Sequence, residues 1–285
     1  MTVTTPSNYS MAEPRMTEVD LRHGDCIDVL RTLPAGSVDS VVTSPPYAMQ
    51  RKSTYGGIPE KDYPEWTVAW MQEVWRVLKD DGSVIINISP HVKNGELSDY
   101  VMHTRLALRA DGWSEVDEIV WHKANAMPTG SPRKPKRSWE SLLWYAKHGQ
   151  PHSDAKAMGK PPTGPKFGKR GAAARNGWAH DATGGCSSPD VARVQNVVQI
   201  GKLSGKQSIN HPAPYPWQLA EWCGKLITPP GGTILDPFTG SSSTGVAAIK
   251  NGWNFIGIDQ SAEYIELSNR RLNAELAETA ERENK

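Results

Sequence analysis

Apolar residues recur along this chain with two periods that alternate from segment to segment. Short apolar runs such as "SVDSVV", "SVIINIS" and "GGTILD" are typical of buried strands. Trp66, Trp70, Val74 and Val77 have helical spacing, which predicts a helix that packs against a sheet and ends at Gly82. Alternating strands and helices predict a mostly parallel α/β sheet, and such sheets bind ligands beyond the carboxyl ends of their strands.

Length and composition narrow the class of protein. A chain of 285 residues can form one α/β domain with an insertion. No apolar run reaches the roughly 18 residues of a membrane span, and "MTVTTPSNYSMAEPRM" lacks the order of a signal peptide, so we expect a cytoplasmic protein without membrane contacts. Three cysteines and eight histidines show no ligand spacing, so we expect neither a disulfide framework nor a metal.

The net charge of +1 hides a strong asymmetry along the chain. Residues 123–206 contain 15 Lys and Arg against 4 Asp and Glu, which leaves 17 against 27 elsewhere. Such a run is often only a solvated loop, and from residue 150 to about 205 the weak periodicity predicts loop structure. The segment also holds Trp139, Trp144, Phe167 and Trp178, and cations mixed with flat rings suit phosphates and bases. The charge pattern therefore favours a nucleic-acid partner.

The stretch "GGTILDPFTGSSSTGVAAIKNGWNFIGID" has the layout of a nucleoside site. A strand ends at Asp236, a loop with Gly240 leads to a helix near Ser243, and the next strand ends at Asp259. Asp259 can accept hydrogen bonds from ribose hydroxyls, and Asp236 would repel a pyrophosphate but attract an ammonium group. S-adenosylmethionine combines a ribose with an amino acid. The alternative is a tight strand-to-helix turn in which Asp236 is only a cap.

Three motifs carry a resemblance to a known family. "TSPPY", "HPAPYPWQLAEWCGKLITPPGGTILDPFTGSSSTGVAA" and "FIGIDQSAEYIELSNRRL" resemble the catalytic, cofactor and ribose motifs of DNA amino-methyltransferases in the β arrangement, where the catalytic motif comes first. The resemblance spans residues 19 to 272. The tetrapeptide alone is less specific, because protein-glutamine and RNA methyltransferases carry a similar Asn-Pro-Pro-Tyr.

The resemblance implies a fold and a division of the chain. The fold is a Rossmann-like methyltransferase sheet, mostly parallel and with permuted motif order, into which a target recognition region is inserted. Both cofactor aspartates would then stand beside Ser44 in one sheet built from both ends of the chain. We expect five regions: a flexible tail (1–18), the catalytic half (19–122), a basic target recognition region (123–206), the cofactor half (207–275) and a charged tail (276–285).

The resemblance also assigns residues to S-adenosylmethionine and to double-stranded DNA. Asp25 would meet the adenine edge or is an ordinary turn aspartate, Phe238 would pack on the adenine or fill the core, and His211-Pro212 would close over the methionine moiety or form a rigid linker. Relatives often have Gly-Thr-Thr or Asn-Thr-Thr where this chain has Ser242-Ser243-Thr244. The implied cofactor residues are Asp25, His211, Pro212, Asp236, Pro237, Phe238, Gly240, Ser242 and Asp259. The implied DNA contacts are Arg133, Lys134, Lys136, Arg137, Lys169 and Arg170.

The Ser44-Pro45-Pro46-Tyr47 loop suits chemistry on an exocyclic amine, whose lone pair is delocalised into the base. The Ser44 oxygen and the Pro45 carbonyl can accept the amine protons as positive charge develops. Two prolines hold the loop rigid, and Tyr47 can stack on a flipped base. Methyl transfer from a sulfonium needs positioning and no metal.

Serine at the first position of the tetrapeptide resembles the cytosine-N4 group, and aspartate is commoner in the adenine-N6 group. Both side chains can accept from an amine, so adenine-N6 methylation remains the alternative. Cytosine-C5 chemistry needs a thiolate, typically presented after a proline, and none of the three cysteines follows one. A further alternative is a non-catalytic DNA-binding module with a vestigial cofactor fold. The sequence does not imply a partner nuclease.

Overall fold

The computed structural model describes residues 17–50, 56–126, 133–159, 193–201 and 215–283. Within these ranges the chain forms ten strands and six helices. The strands are β1 (Val19–His23), β2 (Val38–Thr43), β3 (Leu78–Ile88), β4 (Val92–Lys93), β5 (Glu96–Leu97), β6 (Ser114–His122), β7 (Trp139–Ala146), β8 (Val197–Gln199), β9 (Thr233–Asp236) and β10 (Asn254–Asp259). The helices are α1 (Cys26–Thr32), α2 (Tyr63–Val77), α3 (Tyr100–Ala110), α4 (Trp217–Ile227), α5 (Ser243–Asn251) and α6 (Ala262–Glu283).

Eight strands form one sheet in the order β1-β10-β9-β2-β3-β7-β6-β8. The first five run parallel, β7 runs antiparallel to both of its neighbours, and β8 runs parallel to β6. β4 and β5 form a separate hairpin. Val41 of β2 pairs with Leu235 of β9, so both ends of the chain contribute to the sheet. The predicted mostly parallel α/β sheet with permuted order is confirmed.

The hydrophobic core lies on both faces of the sheet. Val41 and Ile86 face helices α1, α2 and α3, whereas their neighbours Val42 and Ile85 face α4, α5 and α6. Successive strand residues point to opposite faces, so continuous apolar runs indicate a sheet covered on both sides. Trp70 of α2 is fully buried in the first of these layers, which confirms that this helix packs against the sheet.

The boundary between α2 and β3 differs from the prediction. The helix ends at Val77, and the strand already begins at Leu78 because the buried Leu78 pairs with Val38. Gly82 therefore does not end a helix. It lies inside β3, where a Cβ atom would stand 2.7 Å from the Asp39 carbonyl oxygen, so the close approach of the two strands requires a glycine.

Part of the segment predicted as a basic recognition region belongs to the sheet. β7 lies between β3 and β6, and Trp144 is buried there with its Nε1 donating to Ser83 Oγ at 3.0 Å. Trp144 is therefore a core residue and does not face bases. β8 is a short strand that the weak periodicity of this segment did not predict. At the other end of the chain, α6 continues to Glu283, over most of the predicted charged tail.

Candidate active site

Four of the predicted site residues follow strands that end at the same edge of the sheet. Asp25 follows β1, Asp259 ends β10, Asp236 ends β9 and Ser44 follows β2. These strands are parallel neighbours, so their carboxyl ends meet at one edge. The Gly24 amide donates to the Asp259 carbonyl oxygen at 3.0 Å, and this bond joins the turn after β1 to the end of β10. The structure thus brings together residues that are far apart in sequence.

A cavity of about 150 Å³ opens at this edge. Its wall contains the predicted cofactor residues Asp25, Pro237, Phe238 and Asp259 together with Pro46 of the predicted catalytic loop. Aromatic rings beside carboxylates suit a nucleoside, because its base is a flat aromatic ring and its ribose hydroxyls are hydrogen-bond donors. The remaining lining residues, which the sequence analysis did not assign to the site, are Cys26, Ile58, Trp66 and Gln260.

Backbone amides hold Asp259 at the cavity wall. The carboxylate accepts from the Gly240 amide and from the Ser261 amide, each at 2.9 Å. Gly240 has a left-handed φ of 52°, and its carbonyl oxygen accepts from the buried Ser268 hydroxyl at 2.7 Å. The loop after β9 is thereby tied to the end of β10 and to α6, and this fixes the direction of the Asp259 side chain.

Asp236 occupies a different environment from the one predicted. It is fully buried, and its oxygens accept from the Thr43 and Thr244 hydroxyls at 2.7 Å, the Phe238 amide at 3.1 Å and the Tyr215 hydroxyl at 3.3 Å. Four donors match the acceptor capacity of a carboxylate. Burial raises the pKa of Asp236 to about 6, against the lowering effect of these donors. Asp236 does not cap α5, whose N-cap is Ser242, but it organises the turn between β9 and α5, and an ammonium group would have to displace one of its donors.

The backbone at Ser242 accounts for the departure from the family pattern. Its φ of 56° and ψ of 49° lie in the left-handed region, which glycine and asparagine adopt most easily. A glycine or asparagine, as the resemblance leads us to expect here, would adopt this conformation more easily than serine. The Ser242 hydroxyl lies 2.9 Å from that of Thr239, and the Ser243 hydroxyl donates to the Tyr215 carbonyl oxygen at 2.7 Å. Both serine hydroxyls of this turn therefore have hydrogen-bond partners in this conformation.

Phe238 packs in the core and also lines the cavity, so its role towards an adenine stays a prediction. Its ring packs edge-on against Trp70 at a centroid distance of 5.3 Å and lies tilted against Trp66 at 5.5 Å. Trp66 likewise lines the cavity, although its helical spacing predicted only a packing role. Asp25 is exposed and also takes part in two arrangements. Its carboxylate caps α1 by accepting from the Ile27 amide at 2.9 Å, and the residue lines the cavity.

The Ser44–Tyr47 loop is held by residues of the neighbouring strands. Pro45 and Pro46 are buried. The Tyr47 hydroxyl donates to Glu140 Oε2 at 2.9 Å and accepts from Asn87 Nδ2 at 3.2 Å. Asn87 Nδ2 also lies 3.5 Å from Ser44 Oγ. Burial, with a contribution from Glu140, raises the pKa of Tyr47 well above its usual range, so the phenol remains protonated.

Three residues of this loop's surroundings were missed by the sequence analysis: Asn87 near the end of β3, Lys123 directly after β6, and Glu140 in β7. Lys123 Nζ bonds to Glu140 Oε1, and Asn87 Nδ2 donates to Glu140 Oε2 at 3.0 Å. One signal was available in the sequence. Glu140 is the only acidic residue between Lys123 and Gln150, in a segment otherwise rich in cations.

The predicted DNA-binding cluster lies at the same edge of the sheet. Arg133, Lys134, Lys136 and Arg137 are exposed and precede β7, which begins where β3 ends because Ser141 pairs with Ile88. The Arg137 guanidinium lies 5.8 Å from the ring centroid of Trp139, which is 42% exposed. The other predicted residues, Lys169, Arg170, His211 and Pro212, lie outside the described residues.

The described part of the chain contains no group of three or more His, Cys, Asp or Glu side chains that could hold a metal ion. No helix within those same ranges combines the length and the apolar composition needed to cross a bilayer.

The family whose sequence model matches is described as DNA methylase, and the match covers residues 38–270. Type II methyltransferase M.XycI from Xanthomonas campestris pv. cyanopsidis is 30% identical over 90% of this chain and 88% of its own length. Type II methyltransferase M.PvuII from Proteus hauseri is 25% identical over 86% of this chain and 81% of its own length.

Solved structures share the fold. The PvuII DNA methyltransferase (cytosine-N4-specific) superposes with a TM-score of 0.69 at 21% identity and covers 92% of both chains. The M1.HpyAVI–SAM complex superposes with a TM-score of 0.61 at 21% identity, over 90% of this chain and 99% of that one.

The chain belongs to the DNA methylase family, since the match covers most of its length and includes every strand from β2 to β10. The class predicted from the sequence, an S-adenosylmethionine-dependent DNA methyltransferase, is confirmed at the level of the family. The target base and the individual site residues remain predictions.

Proposed function

We propose that this protein transfers a methyl group from S-adenosylmethionine to the exocyclic N4 amine of a flipped cytosine in double-stranded DNA. One observation carries the proposal. Pro46 of the Ser44–Tyr47 loop lines the same cavity as Phe238 and Asp259, so the predicted catalytic loop is in contact with the predicted cofactor pocket.

The cavity supports binding of the adenosine part of the cofactor. Phe238 and Trp66 offer aromatic faces to the adenine, Asp259 offers a carboxylate to the ribose hydroxyls, and Asp25, after the neighbouring parallel strand β1, offers a carboxylate to the adenine edge. We assign Pro237, Gly240 and Ser242 to the loop that shapes the pocket. Asp236 supports this loop from beneath through its four hydrogen bonds. The cofactor supplies the electrophilic methyl group when it is bound.

The catalytic role falls to the Ser44 oxygen and the Pro45 carbonyl. Acceptors aimed at the amine protons favour the pyramidal nitrogen that attacks, and they stabilise the positive charge of the transition state. The buried prolines keep the acceptors in place without offering a competing donor. We assign Tyr47 to the flipped base, with its hydroxyl anchored by Glu140.

Cytosine is favoured over adenine by two observations: the serine at position 44 and the likeness to M.PvuII, whose solved structure is named as cytosine-N4-specific. Adenine-N6 methylation is the second candidate, because the matching family model is named for both N6 and N4 methylation and a serine can accept from either amine. The two products differ in mass as nucleosides, so one measurement separates them.

The test incubates the protein with duplex DNA and S-adenosylmethionine, digests the DNA and identifies the modified nucleoside by chromatography and fragmentation. We expect N4-methyldeoxycytidine. Ser44→Ala should lower the single-turnover rate about 100-fold, the effect of one lost transition-state hydrogen bond, with cofactor affinity unchanged. N6-methyldeoxyadenosine would replace the N4 assignment, and cofactor binding without any modified base would support the non-catalytic module.

We assign DNA binding to Arg133, Lys134, Lys136 and Arg137, with Lys169 and Arg170 as further predicted contacts. Each phosphate contact adds about 0.9 to the slope of log affinity against log salt. Neutralising the first four residues should flatten this slope and weaken binding to every duplex, with cofactor binding intact. A variant with the original slope and lost sequence preference would identify these residues as base readers.

A further inference from the structure

We propose that Glu140 is a positioning residue of the methyl-transfer step. We further propose that the Lys123–Glu140 ion pair connects the Ser44–Tyr47 loop to the proposed DNA-contacting segment, residues 133–137. This inference rests on the proposed function. It adds a pair of charged residues, one in β7 and one directly after β6, of which Glu140 contacts Tyr47 of the predicted catalytic tetrapeptide.

The contacts of Glu140 carry the first step. One carboxylate oxygen accepts from the Tyr47 hydroxyl at 2.9 Å and from Asn87 Nδ2 at 3.0 Å, and the other bonds to Lys123 Nζ. Asn87 in turn reaches the Tyr47 hydroxyl at 3.2 Å and Ser44 Oγ at 3.5 Å. The Glu140 carboxylate is therefore the shared acceptor of a network that includes both polar side chains of the tetrapeptide.

Burial makes this network sensitive to the loss of any member. The side chains of Lys123 and Glu140 are 9% and 14% exposed, and Asn87 is 4% exposed. Hydrogen bonds to a charged group in such surroundings are stronger than those between neutral groups, and the remaining members cannot turn to water when one is removed. The Glu140 carboxylate thus holds the Tyr47 hydroxyl directly and reaches Ser44 only through Asn87.

The location of the pair supplies the second step. Lys123 follows β6 and Glu140 lies in β7, so the pair closes the two ends of the segment that carries Arg133, Lys134, Lys136 and Arg137. The Lys123 amide also donates to the Ser138 carbonyl oxygen at 2.6 Å. A movement of residues 133–137 would therefore move Glu140 and, with it, the Tyr47 side chain. Bound DNA that holds these residues in place would thus also hold the tetrapeptide in place.

The experiment measures single-turnover methyl transfer by Glu140→Gln, with separate measurements of S-adenosylmethionine and DNA affinity. Because geometry errors of about 1 Å cost on the order of 100-fold in rate, we expect a loss of about 10- to 100-fold, with both affinities within about twofold of the original protein. Glu115→Gln is the matched control. Glu115 pairs with Arg105 at 2.6 Å with a side chain that is 10% exposed, but it lies at the other end of β6, and its rate should not change.

A double-mutant cycle distinguishes positioning from general destabilisation. Tyr47→Phe removes the hydroxyl that Glu140 holds, so Glu140→Gln should add little to the loss in that background. Lys123→Met combined with Glu140→Gln removes both charges, and this variant should fold as the original protein does in thermal unfolding but remain slow. Additive losses in the cycle, or a rate near that of the original protein for Glu140→Gln, would overturn the inference. If both Glu140→Gln and the Lys123→Met/Glu140→Gln variant fail to fold, the ion pair is needed for stability. That outcome would also overturn the inference.

The outcome is separable from that of the proposed function. If the original protein produces no methylated nucleoside, the proposed function is wrong. If it methylates DNA and Glu140→Gln does so at the same rate, only the role of Glu140 is wrong.

Discussion

Asp236 and Asp259 end neighbouring parallel strands in similar sequence contexts, yet the two strand ends differ in what surrounds the carboxylate. At the end of β9, Asp236 accepts from three side-chain hydroxyls and an amide and lies beneath the loop. At the end of β10, Asp259 accepts from two amides of the loops beside it and lines the cavity. An acid at a strand end is therefore a common sequence signal with two different uses.

The partners explain the difference. Asp236 meets Thr43 from β2, Thr244 from α5 and Tyr215 before α4, so three elements converge on it from the interior. Asp259 lies nearer the open edge, where Asp25 after β1 is exposed and faces the same cavity. Asp236 and Asp259 are both buried, but only Asp259 and Asp25 line the cavity, so we expect a structural role for Asp236, a ligand-binding role for Asp259 and a divided role for Asp25.

Replacing Asp236 should have the largest effect on stability. Asp236→Ala removes the acceptor of two buried hydroxyls, Thr43 and Thr244, and of two part-buried donors, and unsatisfied buried groups cost about 1–3 kcal/mol each, so the unfolding free energy should fall by at least about 2 kcal/mol. Urea denaturation measures this. A smaller loss than that of Asp259→Ala would reverse the comparison.

The raised pKa of Asp236 should make the unfolding free energy depend on pH. The pKa of Asp236 is about 6 in the folded protein against an ordinary value of 3.8, so the folded state binds this proton more tightly than the unfolded state does. Its contribution is fully present below pH 4 and is lost as pH rises through about 6, and it amounts to on the order of 3 kcal/mol. Urea denaturation at pH 4 and pH 7 should show this difference between the original protein and Asp236→Asn. Parallel pH profiles for the two proteins would contradict the raised pKa.

Replacing Asp259 should act mainly on the cofactor. Asp259→Ala removes the proposed acceptor for the ribose hydroxyls, so S-adenosylmethionine should bind about 1.5–3 kcal/mol more weakly, the range of a charge-assisted hydrogen bond. Calorimetry measures the affinity, and DNA binding should persist. An unchanged cofactor affinity would move the ribose contact to another residue.

Replacing Asp25 should have the smallest effect, divided between its two roles. Asp25→Ala removes the cap of α1, which should lower stability by about 1 kcal/mol, and removes one contact to the adenine edge, which should weaken cofactor binding by about 1 kcal/mol. Asp28→Ala is the control, because Asp28 lies in the first turn of the same helix and is absent from the cavity wall. Equal cofactor affinities for the two variants would leave Asp25 with the capping role alone.

Local patterns were sufficient for most of the fold. The strands that end at Asp236 and Asp259, the helix near Ser243 and the turn at Gly24-Asp25 all lie where the sequence predicts them, because each depends on short-range periodicity and on residues with strong conformational preferences. The end of α2 was predicted wrongly for the opposite reason. Whether Leu78 continues a helix or begins a strand is decided by its pairing with Val38, which lies far away in the sequence.

The same distinction divides the candidate site. The amino-acid sequence by itself determined the order of the elements, the Ser44–Tyr47 loop at a strand end and the family to which these motifs belong. Only the tertiary structure decided that Asp236 is enclosed while Asp259 faces a cavity, and that Glu140 reaches Tyr47 across 93 residues of sequence. The physical reason is that periodicity reports which face of an element is apolar, whereas hydrogen-bond partners and solvent exposure depend on which strands become neighbours in the sheet.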